Sequence, residues 1–150
     1  MAIRNILTIG DETLRKKCRN VDEINAHINM LLCDMADTLH STADGVGLAA
    51  PQVGVLRRVV VIDMGDGVQN FINPVITASQ GSRQVTESCL SVPDRTGTLI
   101  RPEKVTVKAL NEKGEEFTVT EDGLMAVCLC HEIDHLDGIL FVDRTIDKVK

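Results

Sequence analysis

Residues 131–135 read His-Glu-Ile-Asp-His. On a helix, positions four apart lie one turn from each other on the same face, so His131 and His135 can reach a single ion together. Glu132 sits beside them, where a carboxylate can take a proton from a metal-activated water and return it to a leaving amine. That is the chemistry of a metal-dependent hydrolase. A plain solvated turn of helix could carry the same five residues, so the motif gains weight only with a third ligand.

A catalytic site of this kind needs about three protein ligands and one open position. The extended pattern HExxHxxGxxH matches as far as Gly138, but Phe141 stands where the further His belongs. A downstream Glu is also missing, since none follows Glu132. The third ligand must therefore come from upstream, where His27, His40, many carboxylates and the cysteines compete. His27 and His40 fall on an amphipathic segment and are expected to be partly solvated, while Cys18 and Cys33 resemble small apolar core residues. Cys128 is near the face of His131 but is expected to turn to the core, and Cys130 points about 100° away from its neighbour His131. Cys89 lies in VTESCLSVP, at the end of a β-branched run and just before a Pro expected to stop the strand. A thiolate there suits a divalent transition metal, which makes Cys89 one candidate among several.

These residues need elements to position them. Ile24, Ile28, Leu31, Leu32, Met35 and Leu39 recur at helical spacing between residues 24 and 40, against polar positions such as Asp34 and Asp37. The segment LAAPQVGV then suits a loop or edge strand. Segments 57–64, 71–79 and 83–90 are rich in Val, Ile and Thr and predict strands. KVTVKAL and EEFTVT flank the polar turn NEKG as a hairpin. After Asp122-Gly123, LMAVCLCHEIDHL returns to helical spacing with Leu124, Val127, Cys128 and Ile133 as expected core residues. The order helix, antiparallel strands, helix predicts an α+β domain spanning 1–150.

Composition narrows the function. The chain has 150 residues, enough for one core, and its five cysteines are an odd number in a sequence with no secretory signal pattern, so free thiols and a cytoplasmic location are expected. No apolar run of the ~18 residues that cross a bilayer is present, which argues against a membrane partner. Formal charge is −6 with scattered Lys and Arg, and there is no Trp or Tyr, so a direct nucleic-acid substrate is not expected.

Three segments, GVGLAAPQ at 45–52, ESCLS at 87–91 and HEIDH at 131–135, resemble the signature motifs of the peptide deformylase family. The likeness extends to ILTIGDETLRKKC, RPEKVTV and DGLMAVCLCHEIDHLDGILFVDR, and so covers nearly the whole chain in order. It implies antiparallel sheets packed around a central metal-binding helix. The implied reaction removes the formyl group from the N-terminal formylmethionine of newly made proteins. The implied ligands are Cys89, His131 and His135, holding Fe²⁺, with Zn²⁺ or Ni²⁺ in isolated protein, and a metal-bound water as nucleophile. Glu132 would be the general acid/base, and the Gln52 side chain with the Leu90 backbone N–H would receive the oxyanion. Gly45, Val46 and Gly47 would pair with the peptide. Val46, Val85, Leu124, Val127 and Cys128, with His131 at the base, would take the methionine side chain. Glu87 and Ser88 would flank the substrate, Glu87 buried and paired with Arg101. The implied partners are formylmethionyl peptides and nascent chains, with association to the ribosome.

Two positions depart from the family pattern. Ser88 stands where Gly usually precedes the ligand Cys, and Cys130 where Gln usually precedes the first His. Few residues follow FVDR, where many bacterial members carry a C-terminal helix. Two other readings remain, a deformylase-like protein that binds without turnover and a metallopeptidase. Retention of Gln52 and Glu132 speaks against the first, and Phe141 with the missing downstream Glu against the second.

Overall fold

The computed structural model describes residues 2–146. Helix α1 spans Ala26–His40. It begins two residues later than the apolar spacing predicts because Asn25 is its cap: the Asn25 Oδ1 accepts from the Ile28 N–H at 3.1 Å. Ile28, Leu31, Leu32, Met35 and Leu39 are buried as expected. Two positions differ from expectation. Cys33 is exposed, while Asp34 is buried because the N-terminal segment crosses its face. There the Ala2 N–H and the Arg4 guanidinium both donate to its carboxylate.

Strands β1 (Gly47–Ala49), β2 (Val59–Asp63) and β3 (Val68–Gln80) join β6 (Lys104–Leu110) and β7 (Glu116–Asp122). They form a five-stranded antiparallel sheet in the order β1-β2-β3-β6-β7. LAAPQVGV resolves into the edge strand β1 and a short 3-10 turn, Ala50–Val53. Successive side chains of a strand point to opposite faces, and β2 is buried on both. Val59 and Val61 join the core beneath α1, and Val60 and Ile62 join the core beneath the second helix, α2 (Gly123–Leu136).

Strands β4 (Arg83–Cys89) and β5 (Val92–Arg101) form a separate antiparallel hairpin. Pro93 was expected to end extended structure, yet it lies inside β5. The pairing explains its tolerance: Glu87 faces Gly97 and Cys89 faces Val92, so residues 93–96 bulge out of the ladder and Pro93 has no ladder bond to lose. Asp94, at the bulge, has φ +62°.

Helix α2 runs between the five-stranded sheet and this hairpin. Met125–Ile133 are therefore buried without interruption, and His135 and Leu136 follow. Leu124, expected in the core, is 61% exposed: Met125 and Ala126 of the same turn enter the core, while Leu124 takes the side that borders an open cleft. The helix stops at Gly138, where φ is +75° and an added Cβ would lie 2.5 Å from the Arg15 carbonyl oxygen. Gly123 also has a left-handed φ, +57°, but faces open space. Gly123→Ala is therefore expected to lose about 1 kcal/mol of stability, and Gly138→Ala about 2–4 kcal/mol because a collision adds to the backbone strain. Urea unfolding of the two variants checks this; equal losses would show that the contact with Arg15 is unimportant.

Candidate metal centre

The ligand-bearing atoms of Cys89, His131 and His135 all lie within 4.8 Å of one another. The Cys89 Sγ is 3.3 Å from the His135 Nε2. Cys89 reaches the helix because β4 ends there and the hairpin turns at Leu90-Ser91. Of the upstream candidates, His40 is instead paired with Asp63 at 2.8 Å on the surface, and Cys18 is buried in the core.

Behind His131 stands a chain of charges. Its Nδ1 lies 2.7 Å from the Glu87 Oε1, which fixes the N–H on that nitrogen and leaves Nε2 for an ion. Arg101 donates to both oxygens of Glu87 at 2.6 and 3.0 Å, as the sequence suggested, and also to Asp134 at 2.9 Å. Asp134 in turn receives two bonds from Arg144, at 2.7 and 3.0 Å. Burial opposes ionisation of Glu87, but the hydrogen bonds from Arg101 and His131 outweigh it and hold the carboxyl down at about 2.

The surroundings favour a cation. Although burial disfavours the imidazolium, hydrogen bonds to Cys89 and Glu87 and the charge of Glu132 push His131 well above the usual histidine range. A metal ion held by His131 would take the place of that proton. Burial pushes His135 down to about 3, leaving its ring neutral as a ligand requires. Two histidines and one cysteine with donor atoms within 4.8 Å of one another fit a borderline-soft divalent ion.

Glu132 is buried, and its Oε1 has no hydrogen-bond partner. Burial raises its carboxyl to about 7. Its other oxygen explains Gly47: a Cβ there would come within 2.8 Å of both the Glu132 Oε2 and the Cys128 Sγ. A cavity of about 490 Å³ opens over these groups. Gly45, Val46, Gly47, Gln52, Glu87, Ser88, Leu90, Leu124, Val127 and Cys128 all contribute to its walls, as do Cys89, His131 and Glu132. Val85 does not: it packs against the separate cluster of Leu14, Val92, Leu99, Leu140 and Phe141. The bulged residues 93–96 form a rim that sequence reasoning missed, because Pro93 was read as the end of extended structure and not as a bulge within it. Ser88 is exposed at the bulge and is not among the residues of positive φ, so its backbone has no need of glycine.

The sequence profile of the polypeptide deformylase family matches residues 3–150. The chain belongs to that family. Similar relatives include peptide deformylase 2 of Clostridium acetobutylicum, 50% identical over the whole of both chains. The peptide deformylase of Acetivibrio thermocellus is 56% identical over 97% of this chain and 85% of its own. Among solved structures, the peptide deformylase of Legionella pneumophila superposes with a TM-score of 0.91 at 48% identity, covering 95% of this chain and 85% of that one. The Thermotoga maritima peptide deformylase gives 0.93 at 35% identity, over 97% and 99%. The α+β architecture, with antiparallel sheets around the helix that carries HEIDH, is therefore the deformylase fold, and the Cys-His-His cluster sits in a metal-dependent family.

Because Glu87 has a lower pKa folded than its ordinary 4.5, its ion pair stabilises the fold fully above that value and is lost as pH falls through about 2. Glu87→Gln, which keeps the shape and removes the charge, is expected to be less stable than wild type at pH 7 and to show a shallower loss between about pH 5 and 3. Urea unfolding across that range measures it, and parallel acid slopes for the two proteins would place the titrating group elsewhere.

Proposed function

We propose that residues 1–150 act as one catalytic domain in which Cys89, His131 and His135 hold Fe²⁺ and Glu132 moves the proton of the reaction. Zn²⁺ or Ni²⁺ suits the same ligands in isolated protein. The reaction is hydrolysis of the formyl amide at the N-terminal formylmethionine of new proteins. The observation that carries the assignment of Glu132 is its buried, partnerless Oε1 with a carboxyl raised to about 7, which suits it to accept and release a proton near neutral pH.

An ion held by these ligands supplies the Lewis acidity that makes water nucleophilic near pH 7. Glu132 takes the water's proton and passes it to the amine nitrogen as the C–N bond breaks, so that formate and a free methionyl N-terminus leave. The Gln52 amide and the Leu90 N–H receive the negative charge that grows on the formyl oxygen. Val46, Leu124, Val127 and Cys128 hold the methionine side chain in the cavity, with His131 at its base. Glu87 stays behind His131, and Ser88 borders the peptide. The segment Gly45–Gly47 leads into β1, an edge strand of the five-stranded sheet, where an extended peptide can add its own backbone. Actinonin is bound by the related Synechococcus elongatus enzyme, which is 39% identical with a TM-score of 0.92 over 96% of this chain and 79% of that one; it is expected to occupy the same cavity here. The substrates are formylmethionyl peptides and nascent chains, met in the cytoplasm at the ribosome. Among the described residues no helix is long and apolar enough to cross a membrane.

Iron-loaded protein prepared without oxygen is expected to release primary amine from formyl-Met-Ala-Ser, and Glu132→Gln to lower that rate by about 10²–10⁴-fold with its metal retained. No turnover by the wild type, or equal turnover by the variant, overturns the assignment. Cys89→Asp is expected to weaken metal retention or change metal preference, as read by metal analysis after dialysis. Unchanged content and preference would remove Cys89 from the ligand set.

A further inference from the structure

Gln52 is 1% exposed, and its side-chain amide is held at both ends. The Ala49 N–H donates to the Oε1 at 2.9 Å, and since an N–H can meet only the oxygen, this contact decides which way the amide faces. The Nε2 is thereby turned toward Ser91, whose Oγ accepts at 3.0 Å. An amide nitrogen carries two hydrogens. Ser91 takes one, and the other lies on the side of the Cys89 Sγ, 3.7 Å away, beside the reacting centre.

Ser91 is also the residue that follows Leu90, and it is completely buried. Its carbonyl accepts from the Ile9 N–H at 2.7 Å, while the Leu7 N–H donates to the Gln52 carbonyl, also at 2.7 Å. One extended stretch of the N-terminal segment thus ties the backbones of Gln52 and Ser91 from behind, and the Ser91 hydroxyl ties Gln52 in front. We propose that Ser91 is a positioning residue that holds the Gln52 Nε2 at a fixed spacing from the Leu90 N–H, so that both aim at one oxygen. This rests on the reading of Gln52 and Leu90 as oxyanion donors. Without the hydroxyl, the Gln52 amide keeps its anchor at Ala49 and the long contact with the Cys89 Sγ, too weak to stop its nitrogen swinging on the side-chain torsions. Donors that hold no fixed position lose much of their effect on a transition state.

The test is a double-mutant cycle with an independent spectroscopic readout. Removing a donor outright, as in Gln52→Ala, is expected to lower kcat by about 10²–10³-fold. Ser91→Ala is expected to lower kcat about tenfold while KM for formyl-Met-Ala-Ser moves less than about twofold and metal content stays at the wild-type level. If Ser91 acts through Gln52, the double variant is no slower than Gln52→Ala alone. In zinc-loaded protein, the Gln52 carboxamide protons should be protected from exchange in the wild type and lose that protection in Ser91→Ala. An unchanged kcat in Ser91→Ala, a double variant slowed by the full product of the two single effects, or unaltered carboxamide protection each overturns the proposal. Should Gln52→Ala keep the full rate, the oxyanion assignment itself falls, and the exchange measurement still decides whether Ser91 holds the amide.

Discussion

His131, Glu87, Arg101 and Asp134 are linked in series behind the ligand cluster, and the last of them reaches Arg144 at the surface. A buried carboxylate is costly unless it is paired and its lone pairs are met. Here Glu87 receives three bonds, two from Arg101 and one from His131. The last of these is what presents the other nitrogen of the ring to an ion. The hairpin β4–β5 contributes both Glu87 and Arg101, and α2 contributes His131 and Asp134, so the same bonds dock the hairpin on the helix and orient the ligand. Cys89 arrives at the cluster as a consequence of that docking, two residues beyond Glu87 on the same strand.

Glu132 is placed by the opposite principle. Among the described residues no cation pairs with its carboxylate, and burial raises its pKa where that of Glu87 is lowered. The difference is one of packing: Glu87 shares its hairpin with the arginine that pairs with it, whereas Glu132 faces the edge strand β1, where Gly47 leaves just enough room for it and Cys128. Two carboxylates beside His131, Glu87 bonded to its ring from the hairpin and Glu132 next to it on the helix, thus have contrasting proton affinities, one suited to structure and one to proton transfer.

Much of this was legible in the sequence because it depends on spacing. The i, i+4 histidines, the helical stripe of α1 and the alternation of the β6–β7 hairpin are periodic signals, and the order of the three motifs carried the family resemblance. What depended on the meeting of distant segments was not legible. Asp34 sits at a polar position of α1, and only the crossing N-terminal segment explains its burial. Leu124 looked like core because its helix is apolar, but it lies on the side of the first turn that borders the cavity, while Met125 and Ala126 beside it are buried. Val85 was assigned to the substrate cavity and instead fills the cluster around Phe141. Strand β5 was hidden by Pro93, whose missing N–H costs nothing where the ladder is already interrupted. Ser91 was visible as a letter of ESCLS, but its contact with Gln52 joins residues 39 positions apart.

The two departures from the family pattern can be weighed on the same contacts. A glutamine at position 130 would bring hydrogen-bonding capacity next to the charge chain, and a thiol brings little. Yet Glu87 is satisfied by Arg101 and His131, and Asp134 by Arg101 and Arg144, so none of these acceptors depends on residue 130. Cys130 need only fill buried space, and burial accordingly raises its thiol pKa away from reactivity. Ser88 stands at an irregularity of the β4–β5 ladder with its side chain exposed, where a Cβ is accommodated without a left-handed backbone. Its hydroxyl adds a polar group to the groove wall rather than closing it. Of the two, only Ser88 borders the cavity, so a change in how peptides are held would come from Ser88, while Cys130 lies buried outside the cavity.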